Sequence, residues 1–187
     1  KACQIACKDK WDLGVGVTWR RVAEYSGGQW TINPDGTYNQ TVVGYYVSVA
    51  CNHCANPACV AVCPTQAMHR RDDGIVMVDY DLCIGCRYCE WACPYGAPQF
   101  DSERGIMTKC NLCYDAVDAG EKPACVEACP SRALEFGERE ELEAKFGNIH
   151  EVSPLPTAKI TDPSLVITPH RNSAPVGAGI LANPEEI

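Results

Sequence analysis

Long apolar runs are missing from this chain of 187 residues. The longest, Val42 to Ala50 and Gly177 to Ala182, fall far short of the roughly 18 residues that a bilayer-crossing helix needs, so any membrane association has to run through a partner. Positive charge is also scarce. Sixteen Lys and Arg against 24 Asp and Glu leave a formal net charge of -8, with a pI near 5.0, which argues against nucleic acid as a ligand. No glycine loop of the phosphate-cradling kind and no nucleophile paired with a base occurs, so the sequence offers nothing for an enzyme acting in its own right. An initiator methionine is absent too. Lys1 opens the sequence inside what reads as half a motif, and further residues upstream are expected.

What the chain has is cysteine, fourteen in all. Such density signals metal in a reducing compartment and disulfides in a secreted chain, so spacing has to arbitrate. CIGCRYCEWACP places Cys83, Cys86, Cys89 and Cys93 in the Cys-x2-Cys-x2-Cys-x3-Cys-Pro run of bacterial ferredoxins. CNHCANPACVAVCP holds Cys51, Cys54, Cys59 and Cys63, with two extra residues before its third cysteine. CNLCYDAVDAGEKPACVEACP holds Cys110, Cys113, Cys125 and Cys129, with eleven residues in its middle gap. Cys3 and Cys7 in KACQIACK match the last two positions of such a run, and two cysteines upstream would bring fourteen to sixteen, four for each of four 4Fe-4S clusters.

Three closely spaced thiols wrap one face of an iron-sulfide cube, while the fourth lies beyond a helical step and reaches the neighbouring cluster, so the runs must work in pairs with crossed ligation. Zinc ribbons do not repeat a four-cysteine run ending in Cys-Pro, seen here at Cys63, Cys93 and Cys129. Disulfides between cysteines two residues apart are disfavoured by geometry. Sets one with two and three with four could pair, or two with three. The nineteen residues between Cys63 and Cys83 favour the second arrangement.

The fold class is α+β. After Cys63, two short alternating runs flank Asp72, Asp73 and Gly74, a hairpin that delivers the chain to the next set. A second hairpin follows Cys93, turning near Glu103 to Gly105, and ALEFGE after Cys129 reads as the stub of a third. This recurrence marks internal duplication. Trp19 to Val49 reads as a β-rich connection, and Arg139 to Phe146 as one charged helix closed by Gly147. From Val152 onward prolines recur, so residues 151–187 are expected to wrap a partner or stay loose.

EYSGGQW, CNHCANPAC, VCPTQAMHRRDDGIVMVD, CIGCRYC, ACPYGAPQ, MTKCNLCYDAVDAGEKPACVEACPSRALEFG and LANPEEI together cover nearly the whole chain. Through them it resembles the iron-sulfur subunits of the dimethyl sulfoxide reductase family, within the molybdopterin oxidoreductases. The resemblance implies two bacterial ferredoxin-like lobes, each for two 4Fe-4S clusters. Residues 1–50 with 94–150 form one lobe (sets one and four), and residues 51–93 form an inserted lobe (sets two and three). Residues 151–187 form an extended tail against partner subunits.

The resemblance also assigns ligands. Cluster 1 takes Cys3, Cys129 and two cysteines upstream; cluster 2 takes Cys7, Cys110, Cys113 and Cys125. Cluster 3 takes Cys51, Cys54, Cys59 and Cys93, and cluster 4 takes Cys63, Cys83, Cys86 and Cys89. A membrane anchor subunit that oxidises menaquinol would feed the fourth cluster, and the first would pass electrons to a molybdopterin catalytic subunit. Such a complex sits peripherally on the bacterial inner membrane through its anchor, on the periplasmic face or else the cytoplasmic one. The related nitrate reductase subunit has tryptophan in place of Cys86 and a 3Fe-4S centre there, so cysteine here implies 4Fe-4S. Equivalent subunits of formate, tetrathionate or polysulfide enzymes share this pattern, and a free polyferredoxin shuttling between soluble enzymes is the alternative from another class.

Around the thiols, His53 is either a tuning residue or a surface loop residue, and Arg87 either steadies a reduced cluster or contacts another subunit. Tyr88, Trp91 and Tyr95 are expected as the apolar wall that shields a cube from water. The acidic stretch Glu138 to Glu143 is expected as a solvated helix face.

Overall fold

Aromatic and β-branched residues alternate between the first and second cysteine sets, the pattern of strands with one covered face. In the computed structural model, which describes residues 1–173 and 175–186, this segment forms β1 (Arg21–Gly27), β2 (Trp30–Ile32), β3 (Tyr38–Gln40) and β4 (Val43–Val49). β1 and β4 pair antiparallel, with Arg21 opposite Val49 and Gly27 opposite Val43. Tyr25 and Tyr45 stack across them at 5.1 Å, a pair worth about 0.5–1 kcal/mol. β2 and β3 make an exposed ribbon closed by Asn33, Pro34, Asp35 and Gly36. There Asp35 Oδ1 accepts from the Thr37 amide at 3.0 Å and hydroxyl at 2.7 Å, a side-chain clasp that fixes the turn.

Both later hairpins form where the turn signals place them. β5 (Met68–Arg70) pairs with β6 (Val76–Val78), and β7 (Gln99–Asp101) with β8 (Ile106–Thr108). Ala133 to Phe136, expected as the stub of a third, enters no strand among the described residues. No strand runs beside it to complete a ladder.

The helices are short except at the ends: α1 (Ala2–Lys10), α2 (Ala58–Ala61), α3 (Tyr88–Ala92), α4 (Tyr114–Asp118), α5 (Ala124–Glu127) and α6 (Arg139–Phe146). α1 packs on α5, and α2 on α3. α6 buries none of its residues and stops at Gly147, φ 92°, as a solvated charged helix should.

The tail is not loose, because it folds back onto the rest of the protein. Val152 and Leu155 are buried against Val49, Cys54 and Tyr95, and β9 (Ile180–Leu181) adds a third strand beside β1. Asn183 bonds both the amide of Glu24, at 2.7 Å, and the carbonyl of Val22, at 2.9 Å. Thr161 to Ser164 run along the loop of the second cysteine set. The Ala55 and Asn56 amides donate to the Asp162 and Thr161 carbonyls at 2.8 and 3.0 Å, and the Ser164 amide donates to Asn52 O at 3.0 Å. Prolines do not prevent this, because the docking uses backbone groups and isolated apolar side chains instead of a regular ladder. Ala174 and Ile187, which the tail expectation also covered, lie outside the described residues.

Candidate metal centres

Each complete cysteine set begins with the same backbone gesture. The residue just before the second cysteine is left-handed in all three, with φ of 42° at His53, 67° at Gly85 and 58° at Leu112. The residue three after the last cysteine is left-handed too: 59° at Gln66, 58° at Gly96 and 48° at Arg132. Such turns aim successive amides into one concavity, which suits an anion and recurs at iron-sulfur sites. Further amides donate directly to sulfur: Met68 N–H to Cys63 at 3.4 Å, Met107 N–H to Cys83 at 3.4 Å and Ala133 N–H to Cys129 at 3.3 Å.

Gly85 has a second reason to be glycine. His53 and Leu112 carry side chains at the same dihedral, so conformation alone does not demand it. A Cβ on Gly85, however, would stand 2.2 Å from the Gly105 carbonyl and 3.2 Å from the Phe100 ring. Gly85→Ala must therefore push the β7–β8 turn off the third cysteine loop, and a loss of about 2–4 kcal/mol is expected. Denaturant unfolding of the loaded protein, followed by its visible absorbance, reads this directly; an unchanged midpoint would refute the close approach.

Two cavities are lined by cysteine quartets. One is bounded by Cys51, Cys54, Cys59 and Cys93, with Tyr95, Val76 and Lys109 in its wall. The other is bounded by Cys63, Cys83, Cys86 and Cys89, with Met68 and Met107 beside them. In each, three sulfurs come from one set and the fourth from the end of the other. Cys7 lies among Cys110, Cys113 and Cys125, the same three-plus-one arrangement. One turn earlier on α1, Cys3 shares with Cys129 a wide groove open to solvent. All fourteen cysteines are free thiols.

Burial dominates at several of these thiols. It pushes Cys7 and Cys59 up to about 12 and Cys54 and Cys89 up to about 11, with neighbouring sulfurs adding to the effect. Cys51 goes the other way, as do Cys63, Cys110 and Cys129. Burial alone would raise Cys51, but the His53 imidazole and Lys109 outweigh that and bring it down to about 5. Quartets of buried, mutually repelling thiols favour the charged form only when a cation core compensates them, so loading with iron releases protons.

Two cations beside the thiols, Lys109 buried and Arg20 half-buried, escaped the sequence reading. Lys109 is 1% exposed; its ammonium donates to the Cys110 carbonyl at 2.9 Å and to the Val76 carbonyl. Arg20 donates to Ser48 Oγ at 2.9 Å and stands among Cys125, Cys110, Cys3 and Cys7, whose sulfurs outweigh its burial and hold the guanidinium charged. The only signal was position: Lys109 falls where β8 runs into a cysteine loop and Arg20 just before β1, and basic residues ordinarily read as solvent-facing.

His53 is buried and not a surface residue. Tyr95 lines the first cavity as expected, but Tyr88 and Trp91 do not shield a cube. They lean together at 5.7 Å, 52% and 74% exposed, because α3 is barely a turn long and commits its inner face to Cys89. Arg87 also points outward, paired with Glu90 at 2.7 Å and lying over Phe100.

The residues fit iron-sulfur clusters on their own terms. Sulfur-lined cavities are walled by apolar groups, amides converge on them, and Lys109 and Arg20 offset the thiolate charge. Among the described residues no three Cys, His, Asp or Glu side chains close on a single ion.

Comparison with known proteins points the same way. The family model of a 4Fe-4S dicluster domain matches residues 42–139. The protein is 56% identical to the probable anaerobic dimethyl sulfoxide reductase subunit YnfG of Escherichia coli K12, over all of its own length and 92% of the relative. Over the same shares it is 54% identical to the anaerobic dimethyl sulfoxide reductase B subunit of the same strain and 51% identical to that of Haemophilus influenzae.

Proposed function

Since this protein belongs to the family of iron-sulfur subunits of anaerobic dimethyl sulfoxide reductases, we propose that it is the wire of such a complex, relaying electrons through four 4Fe-4S clusters from a menaquinol-oxidising membrane anchor subunit to a molybdopterin catalytic subunit. The observation that carries this reading is the three-plus-one lining of the two cysteine-lined cavities. When bound, a 4Fe-4S cluster supplies one-electron exchange at a potential set by charge, hydrogen bonds and burial.

The ligands follow from the same crossing. Cys51, Cys54, Cys59 and Cys93 hold one cluster, and Cys63, Cys83, Cys86 and Cys89 the next. Cys7, Cys110, Cys113 and Cys125 hold a third, and Cys3 with Cys129 contributes to the fourth. The packing of α1 on α5 and of α2 on α3 supports two ferredoxin-like lobes, one from sets one and four and one from sets two and three. Buried thiols bind, apolar walls exclude water, and Lys109 and Arg20 moderate the charge. Among the described residues no helix is long and apolar enough to cross a membrane. In this reading the anchor subunit holds the complex at the bacterial inner membrane, on its periplasmic face.

Iron and sulfide analysis of protein purified without oxygen, with its visible spectrum, tests the reading. A colourless preparation that binds zinc would end it. Cys86→Ser tests the cluster type at the position where the nitrate reductase subunit differs: the variant should lose one iron or the whole cluster, and an unchanged low-temperature spin-resonance spectrum would count against four-iron ligation there.

A further inference from the structure

The imidazole of His53 has one lone pair and one proton to place, and the fold settles both. Val76 N–H donates to Nδ1 at 3.0 Å, so the ring carries its proton on Nε2. Nε2 is buried and makes no well-aligned hydrogen bond; the groups within its reach are the side chains of Cys51 and Cys110. Those two cysteines belong to different quartets. Cys51 lines the cavity with Cys54, Cys59 and Cys93, whereas Cys110 lies with Cys7, and Cys51 packs against that pair. The ring therefore stands at the junction of the two sites.

It is also held there. The His53 carbonyl accepts from Ser164 Oγ at 3.0 Å, and the Val76 carbonyl accepts from Lys109. The amide that fixes the tautomer is thus itself fixed from its other side.

Resting on the reading above, we propose that His53 is a positioning residue shared by two iron-sulfur centres, its single Nε2–H serving a ligand sulfur of each and setting their potentials together. A donor to a ligand sulfur stabilises the more negative, reduced state and raises the potential. A shared donor moves both levels in the same direction, so the step between them stays even while both respond to one residue. The sulfurs facing the ring are those of Cys51 and Cys110, so the centre of Cys63, Cys83, Cys86 and Cys89 is outside its influence.

Two variants of the full-length protein, loaded with clusters and kept in its complex, separate this role from a merely structural one. His53→Asn keeps an oxygen where Nδ1 accepts from Val76, tolerates the left-handed backbone and removes the donor that reaches the sulfurs. His53→Gln keeps a donor at the depth of Nε2. In a redox titration followed by low-temperature spin resonance, His53→Asn should shift two centres to more negative potential and leave the others alone, and His53→Gln should restore both. A shift in one centre only, in none, or equally in both variants would overturn the proposal. Pulsed spin resonance on wild-type protein with 15N-labelled histidine needs no variant to fold. It should find a histidine nitrogen coupled to two reduced centres, and coupling to fewer than two would also overturn the proposal. Wild-type protein devoid of iron would instead remove the wire reading and this proposal with it.

Discussion

Cys93→Ala should abolish the centre built on the second cysteine set while sparing the one built on its own, third set. Cys93 closes the cavity of Cys51, Cys54 and Cys59, and Cys63 closes that of Cys83, Cys86 and Cys89. Loss of one cluster removes about four irons per polypeptide, a deficit that colorimetric iron analysis resolves easily. The identity of the lost signal is the sharper reading. Cys93→Ala and Cys54→Ala should erase the same spin-resonance signal, and Cys63→Ala and Cys89→Ala the other. If Cys93→Ala instead matches Cys89→Ala, each set serves its own cluster and the crossing is wrong.

Lys109→Met is the second large effect. Methionine restores most of the bulk but no charge, leaving the Val76 and Cys110 carbonyls without their donor. Two charge-assisted bonds lost in a buried place should cost about 2–5 kcal/mol, read as an earlier bleaching of the visible absorbance in denaturant. The same change takes a cation from the wall of the Cys51, Cys54, Cys59 and Cys93 cavity, where it favours the more negative, reduced state. Its potential should fall by on the order of 100 mV. The centre of Cys63, Cys83, Cys86 and Cys89, whose cavity Lys109 does not line, should hold its value. Equal shifts in both would mean that the protein had loosened as a whole.

Cysteine spacing and turn chemistry made much of this legible beforehand. Thiols at fixed offsets constrain a cluster site locally, and the Asp72, Asp73 and Gly74 turn announces its hairpin from a few residues. What stayed hidden depends on distant parts of the sequence. Trp91 sits two residues after Cys89 and looks like a shield in one dimension, but it points outward once α3 proves to be barely a turn. Lys109 looks like a surface lysine until the β6 carbonyl that receives it is brought alongside. The tail has no periodicity to read, since its grip is made of backbone bonds to a loop more than a hundred positions earlier.

That grip has a consequence for how the protein is made. The loop of Asn52 to Asn56 leaves the ribosome early, yet the carbonyls of Thr161 and Asp162 that tie its amides, and the Ser164 hydroxyl that fixes His53, are translated near the end. Contacts of such long sequence separation form late in folding. The loop that carries Cys51 and Cys54 therefore gains its last backbone ties only once the polypeptide has been synthesised through Ser164.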